Sequence, residues 1–334
     1  MSKAESVEIL YDARTDVDQW AQRHAEGEVP DRYPYGLDRV ANYGVDVVAR
    51  RSPDPLEGIP GRLERRLSHS WRHGSTFARG GPLLSWDERA GIPAVLTTRR
   101  PVITGAIWVN DDPYRLAAFA LPKAAAVWAC STAQLPALRG IGVANPVYVP
   151  MGIDADFFTP QPQTTGASVL GVGNDKHRDH ATFCAAVNRL APSLGAHVEL
   201  ATRLDVGDPG RVDVIPHLSH ADLRDRYRAA RVVALALHPN VHVSGVTALL
   251  EAMACARPVV ITDNPGIREY IEDGVTGFLV PAGDVDAMTA AIEKLLRDPA
   301  MGDEMGLRAR KTVEARFTTE IQASALAELI RTAS

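Results

Sequence analysis

Residues 244–260 have the sequence SGVTALLEAMACARPVV, in which a helical pattern is followed at once by a strand pattern. Ser244 is a residue type that often caps a helix start, and Pro258 cannot continue a helix. Between them, apolar side chains recur at the spacing of one helix face: Val246, Leu249, Leu250 and Met253. The opposite face is also nearly apolar, which is typical of a helix buried on all sides. We therefore predict a buried helix from Ser244 to about Ala256, followed by a strand at 258–262.

The same alternation of strand-like and helix-like segments runs along the chain and predicts an α/β fold with parallel sheets covered by helices. The predicted strands form two sets of six, at residues 7–11, 45–48, 83–86, 102–109, 124–130 and 147–149, and at 168–172, 197–201, 212–215, 232–237, 258–262 and 277–280. The segment 156–166 (DFFTPQPQTTG) separates the sets and is the predicted linker. We expect two Rossmann-like domains facing each other across a cleft, at residues 1–157 and 158–317. A C-terminal helix at 318–334 is expected to pack back on the N-terminal domain.

The composition is that of an ordinary folded protein, with 334 residues of which 46% are hydrophobic and 23% charged. The formal net charge of −5 argues against a nucleic-acid partner, because no basic excess is available to neutralise phosphate backbones. No apolar run approaches the roughly 18 residues that span a membrane, and the first residues lack the apolar region of a secretory signal. The three scattered cysteines, Cys130, Cys184 and Cys255, fit a reducing compartment. We therefore expect a cytoplasmic protein.

Glu251 is the only ionisable residue of the predicted helix, and burying its carboxylate without a partner would cost several kcal/mol. Ser244, Thr247 and Glu251 share one stripe of the helix, and Thr247 and Glu251 are about 6 Å apart along its axis. This is close to the distance from the diphosphate of a nucleotide to its ribose hydroxyls. A diphosphate at the helix start and a ribose on Glu251 would satisfy all of these groups. The alternative is a core helix whose Glu251 bonds to an arginine of the protein.

A second motif, residues 170–179 (LGVGNDKHRD), leads from an apolar strand through a glycine-rich turn towards a predicted helix at 182–190. Gly171 and Gly173 allow the backbone to approach a ligand closely, and Lys176 and Arg178 can neutralise phosphate oxygens. As a dinucleotide fingerprint the motif is incomplete, because Lys176 stands where G-x-G-x-x-G needs a third glycine. The alternative is an ordinary strand-to-helix turn with solvated charges.

Residues 244–288, SGVTALLEAMACARPVVITDNPGIREYIEDGVTGFLVPAGDVDAM, resemble the nucleotide-sugar domain of family 4 glycosyltransferases. Residues 222–230 (DLRDRYRAA) and 152–154 (GID) resemble further segments of that family. The resemblance implies the GT-B fold, with its two Rossmann-like domains. It also implies transfer of a sugar from a nucleoside diphosphate with retention of anomeric configuration. A nucleotide-sugar co-substrate is thus expected, with cationic side chains in place of a metal cofactor.

The resemblance also implies roles for individual residues. Arg178, with Lys176, occupies the place of the family's phosphate clamp and is expected to assist catalysis. Glu251 is expected to bind the ribose, and His217 lies in the segment 216–218, which is expected to contact the base. The predicted nucleotide-sugar site contains Gly173, Asn174, His217, His242, Ser244, Gly245, Val246, Thr247 and Glu251.

The chain departs from the family pattern at two places. Val243 stands where many members have another glutamate, eight residues before Glu251. No histidine occurs between His73 and His177, although many members use a front-domain histidine beside the transferred sugar. Two alternatives to a glycosyltransferase therefore stay open: a sugar-nucleotide epimerase of the same fold, and a sugar-nucleotide-binding subunit without catalytic activity.

Acidic residues that follow front-half strands can orient or deprotonate an acceptor hydroxyl, or they can cap helices: Asp12, Asp87, Glu88 and Asp111. Of these we select Asp111 as a candidate catalytic residue. The acceptor is expected to be a small molecule or a lipid-linked precursor.

Two further features have alternative interpretations. The basic segment 62–71 (RLERRLSHSW) either makes a weak contact with an anionic membrane or is a surface helix of its own domain. His238 and His242, with His177 and His180 as partners, complete no recognised ligand spacing, so no metal site is expected. The sequence leaves the oligomeric state open.

Overall fold

The computed structural model describes residues 5–11, 15–50, 81–109, 115–162 and 166–333. The chain divides into two compact units, each with its own sheet. The first consists of Met1–Glu26, Asp31–Pro150 and Thr319–Ser334, and the second of Gly27–Pro30 and Met151–Thr318. In the part of the chain that is described, each helix is too short or too polar to cross a membrane.

The first unit contains the strands β1 (Glu5–Leu10), β2 (Val45–Arg50), β3 (Leu83–Ser85), β4 (Val102–Gly105), β5 (Ala126–Ala129) and β6 (Val147–Tyr148). They form one sheet in the order β2-β1-β3-β4-β5-β6, and all neighbouring strands are parallel. The strands of the second unit are β7 (Ser168–Val172), β8 (His197–Ala201), β9 (Asp213–Ile215), β10 (Val232–Leu235), β11 (Val259–Thr262) and β12 (Phe278–Val280). Their sheet is also parallel throughout, in the order β12-β11-β10-β7-β8-β9.

Helices connect the strands in both units. They are α1 (Val17–Ala25), α2 (Glu88–Thr97), α3 (Arg115–Ala120), α4 (Leu135–Gly140), α5 (His180–Asn188), α6 (His220–Ala229), α7 (Val246–Ala254), α8 (Val285–Arg297), α9 (Pro299–Arg316) and α10 (Thr319–Ala333). A 3-10 segment at Pro34–Tyr43 precedes β2. The helix α10 belongs to the first unit, where the Glu320 carboxylate accepts hydrogen bonds from Arg39 Nη1 at 3.0 Å and Tyr43 Oη at 3.2 Å.

The predicted α/β fold with two parallel six-stranded sheets is confirmed, since each predicted strand position carries a strand. In each sheet the strand order reverses direction at one point. This point lies between β1 and β3 in the first unit and between β7 and β10 in the second. Doubly wound sheets bind ligands at the carboxyl ends of the strands that flank such a reversal. Each unit therefore has one position at its sheet edge that favours a ligand site.

The predicted linker and domain boundary differ from the structure. The main segment of the first unit ends at Pro150 rather than at residue 157, and Met151 begins the long segment of the second unit. Phe158 is fully buried there, with its ring 6.3 Å from that of Tyr227. Arg310 Nη1 donates hydrogen bonds to the carbonyl oxygens of Ala155 and Phe158, at 2.9 and 2.7 Å. The buried side chain of Phe158 and the satisfied carbonyl groups explain why residues 155–158 are part of the second unit.

All three cysteine side chains are buried. Cys130 follows β5, Cys184 lies on α5 and Cys255 follows α7. Burial raises the pKa of the Cys255 thiol to about 12 and also raises the pKa of Cys184.

Candidate active site

Two loops meet at the carboxyl edge of the second sheet, where its strand order reverses. One is residues 173–179, which follow β7, and the other is residues 236–245, which follow β10. The Asp179 amide donates to the Ala236 carbonyl at 3.0 Å, and the His238 amide donates to the His177 carbonyl at 2.8 Å. Both predicted motifs are thereby placed side by side.

Arg178 lies between two glycines, one from each loop. A Cβ atom at Gly245 would lie 2.9 Å from Arg178 Nη1, and one at Gly173 would overlap Nε. Both glycines also have positive φ angles, +89° at Gly245 and +152° at Gly173, so a side chain is disfavoured at each for two reasons. The backbone therefore approaches the guanidinium group more closely than other residues would allow.

Arg178 is half-buried, and two nitrogen atoms of its guanidinium group are buried without acceptors. Its Nε and Nη1 atoms are inaccessible to solvent and donate no hydrogen bond within the described residues. Burial lowers the pKa of Arg178, whereas the nearby Asp175, Tyr227 and Glu251 raise it. A buried cation with unused donors is costly, so an anion bound at these atoms would complete the site.

The helix α7 begins beside this guanidinium group, and its start corrects one prediction. Gly245 is the N-cap residue and Ser244 is not, because Ser244 Oγ donates instead to Asp175 Oδ2 at 2.5 Å. The Val246 amide is used in a turn, donating to the Val243 carbonyl at 3.0 Å. Within the described residues, the amides of Gly245, Thr247 and Ala248 make no hydrogen bond. The start of this helix thus offers backbone donors and a favourable dipole to an anion.

Asp175 fixes the two loops to each other, although the sequence analysis did not select it. Its Oδ1 accepts from the His177 amide at 3.0 Å, and its Oδ2 lies 3.5 Å from Nε2 of the buried His242. Burial alone would raise the pKa of Asp175, but hydrogen bonds from His242, Ser244 and the His177 amide outweigh it and hold the pKa well below its usual range. An acidic residue inside a glycine-rich turn is the signal that could have identified it.

Asp175, His177 and His242 are close enough together to bind a metal ion. One ligand atom each from Asp175, His177 and His242 lie within 4.8 Å of one another. The Asp175 oxygens already accept hydrogen bonds, so a metal ion would have to displace them. The other two histidines of the set that the sequence suggested are used elsewhere: His180 Nε2 lies 3.1 Å from Thr202 Oγ1, and His238 Nδ1 lies 3.7 Å from Asp179.

Glu251 lies on α7, in the interior of the second unit. Its side chain is only 6% exposed, and its Oε2 accepts a hydrogen bond from Tyr227 Oη on α6 at 2.8 Å. Burial raises the pKa of Glu251 to about 7, against the opposing effects of Tyr227 and the Arg178 charge. No other hydrogen bond of the described residues reaches the carboxylate. The partner is thus a tyrosine, where the alternative interpretation expected an arginine.

Tyr227 was also not selected from the sequence. It is the one aromatic residue of α6, whose sequence HADLRDRYRA is otherwise mainly polar, and it is fully buried. A single aromatic residue in a charged helix is the signal that could have identified it as a buried contact.

Several other residues of the predicted nucleotide-sugar site are exposed or half-buried. Asn174, Lys176 and His217 are exposed, and Asn174 Oδ1 accepts from the Arg203 amide at 2.6 Å. His217 follows the edge strand β9 and has no hydrogen bond within the described residues. Thr247 is half-buried in the first turn of α7.

The candidate residues of the acceptor side have separate outcomes. Asp111, Asp12 and the basic segment 62–71 lie outside the described residues. Asp87 is the N-cap of α2 and accepts from the Arg89 amide at 3.0 Å. Glu88 is buried and accepts from the Trp108 amide at 3.2 Å.

Residues 174–298 match the family model described as glycosyl transferases group 1. This range begins in the loop after β7 and includes all of α7 with Glu251. The match covers less than half of the chain, and over this range the chain resembles that glycosyltransferase family. The resemblance to family 4 glycosyltransferases is thereby confirmed.

Sequence relatives of this chain include D-inositol 3-phosphate glycosyltransferases. The protein from Kribbella flavida is 29% identical over 240 residues, which are 60% of this chain and 54% of the relative. The protein from Kineococcus radiotolerans is 38% identical over 143 residues, which are 40% of this chain and 32% of the relative. The chain spans about half the length of the former and less of the latter.

Two solved structures share the fold over nearly the whole chain. Sucrose-phosphate synthase from Thermosynechococcus elongatus has a TM-score of 0.75 and 19% identity, covering 98% of both chains. HepE from Anabaena, solved in complex with UDP and glucose, has a TM-score of 0.71 and 17% identity, covering 98% of this chain and 100% of that one. The fold is therefore the predicted GT-B fold.

Proposed function

We propose that the protein transfers a sugar from a nucleoside diphosphate sugar to an acceptor hydroxyl, with retention of anomeric configuration. The observation that carries this proposal is the pair of buried donors Nε and Nη1 of Arg178, which lie beside the uncapped start of α7. Together they match the two negative charges and many acceptor oxygens of a diphosphate. The solved complex of HepE with UDP-glucose supports a nucleotide sugar as the class of donor.

In this proposal Glu251 binds the ribose, because it lies on α7 beyond the amides that take the diphosphate. Its Oε1 atom is the acceptor that remains beside the Tyr227 bond to Oε2. Ribose hydroxyls would donate to the ionised carboxylate, and nucleotide binding would therefore lower the pKa of Glu251.

In the proposed chemical step, the sugar moves from the diphosphate to the acceptor and negative charge develops on the diphosphate. The bond between the sugar C1 and the diphosphate oxygen breaks, and its electron pair goes to the leaving oxygen. The acceptor oxygen bonds to C1 on the same face, and its proton passes to the released diphosphate. Negative charge grows on the diphosphate, so Arg178 and the helix start stabilise the transition state more than the bound donor. A helix start contributes about 0.3–2 kcal/mol and a charge-assisted hydrogen bond about 1.5–3 kcal/mol.

Lys176 adds a second, exposed cation to the same loop. In this proposal the positive charges of Lys176 and Arg178 neutralise the leaving diphosphate, so that no divalent ion is needed. The acceptor is a small molecule or a lipid-linked precursor. The D-inositol 3-phosphate glycosyltransferases support a hydroxylated acceptor of modest size.

A thermal-shift screen with UDP, GDP, ADP and dTDP sugars tests donor binding, because a ligand at 100 times its Kd stabilises the folded state by about 2.7 kcal/mol. We expect one nucleotide to stabilise the wild type and to lose most of this effect in Arg178→Ala. Incubation of that donor with candidate acceptors, followed by NMR of the anomeric proton, then tests transfer and retention.

Other results of these two experiments would indicate one of the alternative functions. Conversion of the donor sugar without an acceptor would indicate an epimerase, and binding with neither transfer nor hydrolysis would indicate a binding subunit. If no nucleotide diphosphate stabilises the wild type more than Arg178→Ala, the proposal is wrong.

A further inference from the structure

The two carboxylate oxygens of Glu251 have different surroundings. Oε2 accepts the hydrogen bond from Tyr227 Oη at 2.8 Å, in the interior of the second unit. Oε1 makes no hydrogen bond with the described residues and, unlike Nε of Arg178, it is not sealed from solvent. The protein therefore holds one oxygen, and the other is open to a ligand.

The Tyr227 hydroxyl is fixed in place by the packing around it. Its side chain is fully buried, and its ring lies edge-on to that of Phe158 with the centroids 6.3 Å apart. The helix α6, which carries Tyr227, begins at a capping box. The next residue, Arg228, donates from Nε to the Thr159 carbonyl at 2.8 Å. A hydroxyl held in this way can keep the carboxylate of Glu251 in one orientation.

The charged and titratable groups near Glu251 come from the elements packed around α7. Tyr227 faces it from α6 and Arg178 from the loop after β7, and both oppose the effect of burial on the pKa of Glu251. Cys255 follows α7, and Glu251 raises the pKa of its thiol. Arg310 of α9 donates to a backbone carbonyl at the end of α7, and β11 (VVIT) has no ionisable side chain. Among the described residues, Tyr227 is thus the group that bonds to the carboxylate.

We infer that Tyr227 is a positioning residue of the proposed nucleotide-sugar site, which holds Oε2 of Glu251 so that Oε1 receives the ribose hydroxyls as part of an ionised carboxylate. This inference rests on the proposed function, in which Glu251 binds the ribose. Tyr227 acts through Glu251 and does not itself contact the nucleotide. A hydroxyl that donates to a carboxylate stabilises the charged form more than the neutral form. Loss of the hydroxyl should therefore free the carboxylate to rotate and favour its protonated form.

The proton on Glu251 makes this role measurable. Burial raises the pKa of Glu251 to about 7, so near neutral pH part of the free protein carries the proton. The ribose binds the ionised form, so binding releases this proton and weakens as the pH falls below 7. In Tyr227→Phe the pKa of Glu251 should be higher still, and the loss of affinity should begin at a higher pH.

Calorimetric titration with UDP-glucose between pH 5 and pH 9 tests the inference; if the thermal-shift screen selects another sugar nucleotide, that one is the probe. A sugar nucleotide has no terminal phosphate, and so it lacks the ionisation near pH 6 that UDP alone would add. The affinity of the wild type should fall at least tenfold from pH 8 to pH 5, and titrations in two buffers of different ionisation enthalpy should show release of about one proton at pH 6. Tyr227→Phe should bind about fivefold or more weakly than the wild type at pH 7, and this difference should narrow by pH 9.

Two further variants separate this role from general packing. Tyr270→Phe is the matched control, because it removes a similarly buried hydroxyl of the same unit, which accepts from the Met151 amide at 2.9 Å. It should leave the affinity and its pH dependence as in the wild type, whatever its effect on stability. Glu251→Gln should bind weakly at every pH and release no proton, because its amide does not titrate.

The same titrations distinguish this inference from the proposed function. If Tyr227→Phe binds as well as the wild type, or more weakly by the same factor at every pH, the inference is wrong and the proposed donor site stands. Binding to the wild type without proton release also overturns the inference, because Glu251 would then bind the ribose without a change of charge. If no sugar nucleotide binds the wild type at any pH, the proposed function itself is wrong.

Discussion

Arg178 and Glu251 are the two residues on which the proposed chemistry depends, and both were selected from the sequence. Asp175 and Tyr227 were not, because their contacts join residues that are far apart in the chain. Ser244 is an ordinary N-cap in its local sequence, but it bonds to Asp175, 69 positions earlier. Glu251 bonds to Tyr227 on a different helix. Local patterns therefore identified the charged residues but could not identify the hydrogen-bond partners that hold them.

We predict that Arg178→Ala lowers kcat at least tenfold and changes KM less, because the guanidinium group stabilises charge that grows as the sugar leaves. A tenfold loss corresponds to about 1.4 kcal/mol of transition-state stabilisation. Steady-state kinetics with a nucleotide-sugar donor measures this. Arg189→Ala is the control, since Arg189 is an exposed arginine of the same unit that pairs with Asp286. Wild-type kcat in Arg178→Ala would exclude the clamp role.

The second residue-scale prediction concerns Glu251 and pH. Its pKa is about 7 in the folded protein, against 4.5 for the ordinary group, so between these values the folded state holds a proton that the unfolded state has lost. The contribution of Glu251 to stability is thus largest below pH 4.5 and falls as the pH rises to 7, by about 3 kcal/mol in all. Glu251→Gln removes this contribution.

Urea unfolding of the wild type and Glu251→Gln at pH 5 and pH 8 measures the difference. The free energy of unfolding of the wild type should fall more between these pH values than that of the variant. Equal pH dependence of the two proteins would show that Glu251 is ionised throughout, and its burial would then need another explanation.

At the scale of elements, hydrophobic periodicity was sufficient to find the strands, because each buried strand of a parallel sheet is a short apolar run. It was less successful at the ends of elements. The α7 helix begins at Val246 rather than at Ser244 and ends at Ala254 rather than Ala256. The segment 156–166 was assigned as a linker from its proline and threonine content, although Phe158 within it is fully buried in the second unit. The composition of a segment averages over its residues, whereas a single buried side chain can determine which domain the segment packs against.

The start of α7 gives a prediction at this scale, in which Gly245→Ala is compared with Gly274→Ala. Both glycines have a positive φ angle, +89° and +72°, so both variants should lose about 1–2 kcal/mol of stability. Gly274 has open space around it, whereas a Cβ at Gly245 meets Arg178 Nη1. Gly245→Ala should therefore also weaken nucleotide binding at least tenfold, and Gly274→Ala should not. Calorimetric titration measures this, and equal affinities in the two variants would contradict the placement of Arg178.

At the scale of the whole molecule, the two units differ in their content of tryptophan, the main fluorescent residue. All five tryptophans, at positions 20, 71, 86, 108 and 128, belong to the first unit. Tryptophan fluorescence therefore reports unfolding of the first unit, whereas far-UV circular dichroism reports both. This distribution makes it feasible to ask which unit a ligand stabilises.

We predict that a saturating nucleotide raises the circular-dichroism midpoint of denaturant unfolding more than the fluorescence midpoint, because it binds the second unit. At 100 times the Kd the stabilisation is about 2.7 kcal/mol. Arg178→Ala should abolish the shift. A nucleotide that moves the fluorescence midpoint alone would place its site in the first unit and contradict the prediction.

The buried cysteines have a practical consequence. Maleimides and iodoacetamides attack the thiolate, and the side chains of Cys130, Cys184 and Cys255 are both enclosed and, for two of them, hard to deprotonate. A cysteine introduced on the surface, for example at Arg189, would then be modified far faster than these three. A fluorophore or spin label can thus be attached at a chosen point while every native cysteine is kept.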